Sequence, residues 1–217
     1  MSASKTLLFD LDGTLVDPGI GIIGSFRGAL EELGVSAPPH EDLGWIIGPP
    51  LRKSFAAFLP ETRVEDGIAG YRSRYNDQGG MFNATPYEGI HAALEGFRAK
   101  GFRIFVCTAK PAPFARKIIP HFDFAPYFDG IYGAELDGRF DDKGALIAHM
   151  LTVEGFAPET AIMIGDRAND TGAASRNGLR SVGVTWGYGS AEELTEGGAT
   201  VLCEAPRDLP QVISALL

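Results

Sequence analysis

Short apolar runs alternate with helix-period segments through the second half of the chain, and that alternation leaves few folds open. Residues 103–107, 130–132, 161–164 and 181–184 read as strands. Helical segments at 90–100, 113–122, 143–154 and 170–177 stand around and between them, and a last helix closes the chain. Strands joined by helical crossovers pair in a mainly parallel sheet covered on both faces. The run Thr6 to Phe9 is a further strand of this set, cut short by the turn signal Asp12-Gly13. A helical block separates it from the rest. Ile20, Ile23, Phe26, Leu30 and Leu33 recur at helical spacing before a stop at Gly34. Residues 51–59, after a Pro49-Pro50 start, and the polar stretch 63–77 also read as helix, and nothing from 18 to 85 reads as a convincing strand. The expectation is an α/β fold: a doubly wound, mainly parallel Rossmann-like core formed by 1–17 and 86–217. An all-helical domain, 18–85, is inserted after the first strand.

The 217 residues suffice for such a core with an insertion. The formal net charge of −9 argues against a general nucleic-acid or anionic-membrane binder, since both partners would be repelled. It leaves room for a phosphorylated substrate, because a metal and a few cations can reverse the field inside a cleft. Cys107 lies in an apolar run, so it and Cys203 are expected as reduced, buried thiols of a cytoplasmic protein. The start Met-Ser-Ala-Ser-Lys lacks the pattern of a signal peptide, and no apolar run approaches membrane-spanning length. His40, His91, His121 and His149 follow no metal-ligand spacing.

In a doubly wound sheet, ligands bind beyond the carboxyl ends of the strands. The first strand ends in Asp10, with Asp12 and Thr14 just past it. The strand 103–107 ends at Thr108, and 161–164 ends in Gly165-Asp166 with Asp170 close behind. Each residue has an ordinary structural explanation alone: Asp12-Gly13 as a turn, Asp166 as a helix cap, Thr108 as a satisfied hydroxyl. Together they bring several carboxylates to one crevice, where their repulsion calls for a cation. Magnesium fits, because it favours a few carboxylates with water and phosphate oxygens.

Phe9-Asp10-Leu11-Asp12-Gly13-Thr14-Leu15 resembles the first motif of the haloacid dehalogenase superfamily in its phosphatase form. Thr108 in Cys107-Thr108-Ala109-Lys110-Pro111 resembles the second motif, Lys143 the third, and Gly165-Asp166-Arg167-Ala168-Asn169-Asp170 the fourth. The resemblance spans the whole chain, the insertion after the first motif included. Tyr87-Glu88-Gly89, Lys110-Pro111 and Trp186-Gly187-Tyr188-Gly189 resemble the phosphoglycolate phosphatase-like branch, which also holds nucleotidases and a pyrophosphatase.

The resemblance implies that Asp10 attacks phosphorus to form an aspartyl-phosphate and that Asp12 serves the leaving group as acid and then the water as base. It implies that Asp10, Asp166 and the Asp12 carbonyl hold Mg2+, with Asp170 orienting that shell, and that Thr108 and Lys143 grip the phosphoryl oxygens. Two readings stand for Lys143, a phosphate ligand or an exposed helix start. Two stand for Lys110, a substrate contact or a solvated loop lysine. Two stand for Arg52, a selector of the leaving group beside a helix start in 47–52 or a residue on a solvated helix face. The expected substrate is a small phosphomonoester, phosphoglycolate-like or a nucleoside monophosphate, handled by a monomer or homodimer. The alternatives are a phosphomutase of the same superfamily and a non-catalytic, receiver-like phosphoacceptor module.

Overall fold

The structure, a computed structural model, describes residues 5–48 and 51–217. Strand β1 (Thr6–Phe9) is buried at every position, as a strand flanked on both sides and covered on both faces must be. It lies inside a six-stranded parallel sheet with β4 (Arg103–Pro111), β5 (Gly130–Ala134), β6 (Ala161–Gly165), β7 (Arg180–Val184) and β8 (Val201–Cys203), in the order β5-β4-β1-β6-β7-β8. The helices between them are α4 (Ile90–Ala99), α5 (Ala112–His121), α6 (Lys143–Glu154), α7 (Ala168–Arg176) and α8 (Ala191–Glu196), and α9 (Leu209–Leu216) follows the last strand.

Alternating side chains fill two cores. Leu8, Phe105, Cys107 and Met163 pack on Leu146, Ile147 and Met150 of α6 and on Ala173 and Ala174 of α7. On the other face the Phe9 ring meets Phe97 of α4 at 6.4 Å and Phe128 at 6.3 Å. The expected doubly wound α/β fold is the one observed.

Residues 1–16 with 86–217 form one compact unit and 17–85 another. The second unit holds α1 (Gly19–Glu32), α2 (Leu51–Ala56) and α3 (Val64–Arg72), the last continued by a single π-helical turn, Ser73–Asp77. The Phe26 and Phe55 rings meet at 4.3 Å, tilted by 31°, in its core, and α3 offers Gly67 where the Phe55 ring closes in. The two chain crossings, β2 (Val16–Asp17) and β3 (Thr85–Pro86), pair as a two-stranded ribbon.

Several boundaries differ from the sequence reading. Helix α2 ends at Ala56, not near Leu59, and its expected Pro49-Pro50 start lies outside the described residues. Strand β4 runs on to Pro111, and α7 starts at Ala168, before Asp170. The short α8 and β8 are additions the sequence reading did not contain, and β3 is a two-residue strand at the edge of a block expected to have none. Among the described residues, no helix is long and apolar enough to cross a membrane.

Candidate active site

Sheet register explains why residues far apart in sequence meet. Phe9 lies opposite Val106 on β4 and opposite Ile164 on β6. One step on, Asp10 donates its backbone N–H to the Ile164 carbonyl at 2.9 Å. Thr108, inside β4, and Asp166, just past β6, stand two residues past that row, so three adjacent strands bring Asp10, Thr108 and Asp166 together, all buried.

Asp10, Asp166 and Asp170 each offer one carboxylate oxygen, and those oxygens lie within 4.8 Å of one another. Asp170 comes from the first turn of α7. Its Oδ2 accepts the Arg167 N–H at 3.0 Å, so the helix start holds the carboxylate in place. Asp166 is not the helix cap that the simpler reading offered; Arg167 occupies that position. Asp166 Oδ2 accepts the Tyr188 N–H at 2.8 Å, while its buried Oδ1 has no hydrogen-bond partner among the described residues. Gly13, at φ +86°, is needed here, because a Cβ would stand 2.2 Å from Asp166 Oδ2.

Two lysines answer the carboxylates. Lys143, the first residue of α6, is buried, not an exposed helix start. Its Nζ donates to Asp10 Oδ1 at 2.8 Å and also to Asp170 Oδ1. Burial alone would lower the Lys143 pKa; the Asp10 and Asp170 charges outweigh it and hold the ammonium in its charged form. Lys110 is also buried, so it is not a solvated loop lysine, and its Nζ stands 2.7 Å from Asp12 Oδ2. The register between β4 and β5 shifts between Thr108 and Pro111. Such a bulge re-aims side chains; here Ala109 is exposed and Lys110 turned inward. The Lys110 N–H donates to Thr108 Oγ1 at 3.1 Å, leaving the Thr108 hydroxyl hydrogen for another acceptor.

These contacts divide the acids. Burial raises the Asp12 pKa above its usual value, with Lys110 opposing the shift and Asp10 adding to it. Burial, then the Asp170 and Asp10 charges, push Asp166 well above the carboxylate range. Burial pushes Asp170 up to about 6 against the pull of Lys143. Carboxyls so placed are short of positive charge. The all-oxygen donor set and the orphaned Asp166 Oδ1 fit a hard divalent ion such as magnesium.

Arg52 belongs to the helical unit, where its exposed guanidinium pairs with Glu65. Cys107 and Cys203 are free and buried, and burial pushes the Cys107 thiol up to about 12, so it is inert. Residues to which the sequence reading gave no role also bear on the site. Glu193 of α8 accepts the Arg167 Nε–H at 2.8 Å and the Ala168 N–H at 3.0 Å, which ties down the start of α7. The Trp186 indole N–H donates to the Thr14 carbonyl at 3.2 Å. The glycine-flanked aromatics of 186–189 were the available signal.

The central strands of the parallel sheet thus gather buried aspartates, two buried lysines and a hydroxyl into one acidic, oxygen-rich centre. The family model described as "Haloacid dehalogenase-like hydrolase" matches residues 7–184, and the chain belongs to that family. With Asp12 beside Asp10 it is of the phosphatase kind. It is 41% identical to a 5'-nucleotidase of Pseudomonas aeruginosa, over 96% of this chain and 95% of that one. It is 37% identical to the tyrosine-protein kinase PtkA of Mycobacterium tuberculosis, over 93% of this chain and 69% of that one. A crystal structure described as that of a predicted phosphatase from Clostridium acetobutylicum superposes with a TM-score of 0.89 at 36% identity, covering 99% of this chain and 100% of that one.

Proposed function

We propose that the chain is a magnesium-dependent phosphatase that hydrolyses a small phosphomonoester through an aspartyl-phosphate on Asp10. The observation that carries this reading is one short turn that sets two aspartates, each against its own buried lysine, at the edge of an acidic cluster. Asp10 is paired with buried Lys143 and Asp12 with buried Lys110, and burial raises the Asp12 pKa against the pull of that lysine. A leaving-group acid must hold a proton at the start of the reaction, and the upward direction of the Asp12 shift suits that task.

In this reading an Asp10 oxygen attacks phosphorus in line and the ester bond breaks as Asp12 gives its proton to the departing oxygen. Asp12 then takes a proton from the water that cleaves the acyl phosphate. Lys143 and the Thr108 hydroxyl hold the phosphoryl oxygens. Asp10, Asp166, Asp170 and the Asp12 carbonyl would hold magnesium, which when bound supplies positive charge to the transferring group.

The helical unit 18–85 acts as a cap, opening to admit substrate and closing to exclude water. Arg52 is its candidate selector of an anionic leaving group. Its present partner is an exposed carboxylate, and such pairs contribute about 0–1 kcal/mol, so a substrate anion can displace Glu65. Lys110 stands on Asp12, beside the position the leaving oxygen must reach, and is the second candidate selector. A small phosphorylated metabolite, a nucleoside monophosphate or a phosphoglycolate-like acid, is the substrate class.

The test is release of inorganic phosphate from p-nitrophenyl phosphate and a metabolite panel, with magnesium and with EDTA. Turnover that needs magnesium, with small metabolites outrunning phosphopeptides, is expected. Full turnover in chelator would overturn the metal reading, and preferred hydrolysis of phosphopeptides would overturn the substrate class. Transfer of the phosphoryl group to a protein hydroxyl, without release of phosphate, would replace hydrolysis by a kinase reaction.

A further inference from the structure

Asp166 sits in a cage made by a loop from the neighbouring strand. Strand β7 ends at Val184, beside β6 and parallel to it. The chain then runs through Trp186-Gly187-Tyr188-Gly189 and closes over the end of β6. Tyr188 gives its backbone N–H to Asp166 Oδ2 at 2.8 Å. Gly187 comes so close that a Cβ there would lie 2.4 Å from Asp166 Cβ and 2.4 Å from the Gly13 carbonyl oxygen. Gly189 presses on the backbone of the same residue, where a Cβ would lie 2.0 Å from the Asp166 carbonyl oxygen.

The loop is also fastened to the segment that carries Asp10 and Asp12. The Trp186 indole N–H reaches the Thr14 carbonyl at 3.2 Å. The Tyr87 ring meets the indole edge-on at 6.4 Å, and the Tyr87 N–H donates to the Leu15 carbonyl at 3.1 Å. Both aromatics therefore brace the turn after Asp10. One oxygen of Asp166 is engaged by the loop, and the other, Oδ1, is buried without a hydrogen-bond partner among the described residues.

We propose that the loop 186–189 is the positioning element of the metal site: it fixes Asp166 through Oδ2 so that Oδ1 alone is presented as a ligand. Trp186 is the residue that holds the loop to the nucleophile turn. The inference rests on the magnesium reading given above. A carboxylate clamped on one oxygen offers a single, preoriented ligand atom, and the ordering is done before the ion arrives. Loss of such an outer contact typically weakens metal binding by about 10–100-fold.

The experiment is magnesium titration by calorimetry on the full chain, using wild type, Trp186→Phe and Gly187→Ala. Phenylalanine keeps an aromatic ring to face Tyr87 and removes the N–H together with part of the indole. Gly187→Ala crowds Asp166 directly and tests the cage itself. Should that variant fail to fold, Trp186→Phe decides alone. The expected result is at least tenfold weaker magnesium binding in folded Trp186→Phe. At saturating magnesium, its KM for p-nitrophenyl phosphate should move less than twofold, a split that general loss of structure would not give. Wild-type magnesium affinity in folded Trp186→Phe would overturn the proposal. Wild-type protein that binds no magnesium, and turns over in chelator, would instead remove the metal reading and this inference with it.

Discussion

Asp10 and Asp12 carry the same group two residues apart, yet each meets its own lysine, Lys143 at 2.8 Å and Lys110 at 2.7 Å. Asp10→Asn should abolish turnover while the fold survives, because an amide is a poor nucleophile; more than a few per cent of wild-type turnover would remove Asp10 from that role. Asp12→Ala should cost about 10²–10⁴-fold on alkyl phosphates, the usual range for general acid catalysis. The loss on p-nitrophenyl phosphate should be much smaller, since that leaving group needs little help from a proton. Equal losses on both would assign Asp12 to structure or metal holding alone. The two aspartates were legible in the sequence because the turn that carries them is local. The Lys110–Asp12 contact was not, because it depends on a shift of register between β4 and β5 that no local pattern announces.

Helix α6 shows the same division at the scale of an element. Asp141-Asp142-Lys143 reads as a helix start, and Asp142 is the N-cap, its carboxylate accepting from the Gly144 N–H at 3.2 Å and the Ala145 N–H at 3.3 Å. The depth at which the next residue is buried was not legible, because it is set by the packing of α6 against the sheet. Strand β8 and helix α8 escaped for another reason: three and six residues give too little periodicity to read. Asp142→Ala should lower stability by about 1 kcal/mol, the usual cost of losing a cap. Its carboxylate also accepts from Arg176 Nη2 at 2.8 Å, an exposed pair that adds little. Urea unfolding measures the change, and a midpoint equal to that of wild type would show that the cap is dispensable.

Over the whole molecule, the central place of β1 in the order β5-β4-β1-β6-β7-β8 is what concentrates charge. Strand β6 ends one residue past the level of β1, so the acidic ends of the two strands share one small volume with Asp170 in a chain already at −9. The concentration has a thermodynamic consequence. Without metal, Asp166 is held well above 3.8 and Asp170 up to about 6, both mainly by burial. A carboxyl whose pKa is higher folded than unfolded binds more protons in the folded state through the interval between the two values. Stability from these groups is therefore full below about pH 4 and is lost as pH rises through about 6 and beyond. Magnesium reverses the preference, because it binds the ionised carboxylates and competes with protons for them. The gain in Tm on replacing EDTA by saturating magnesium should accordingly be larger at about pH 7.5 than at about pH 5, since ligand binding to the folded state stabilises it in proportion to the logarithm of its affinity. Taking the difference between the two conditions at each pH cancels the other titrating groups to first order. Thermal unfolding at both pH values, with and without the ion, measures it. An equal gain at both would mean that the cluster is ionised across the range and that burial does not control its charge.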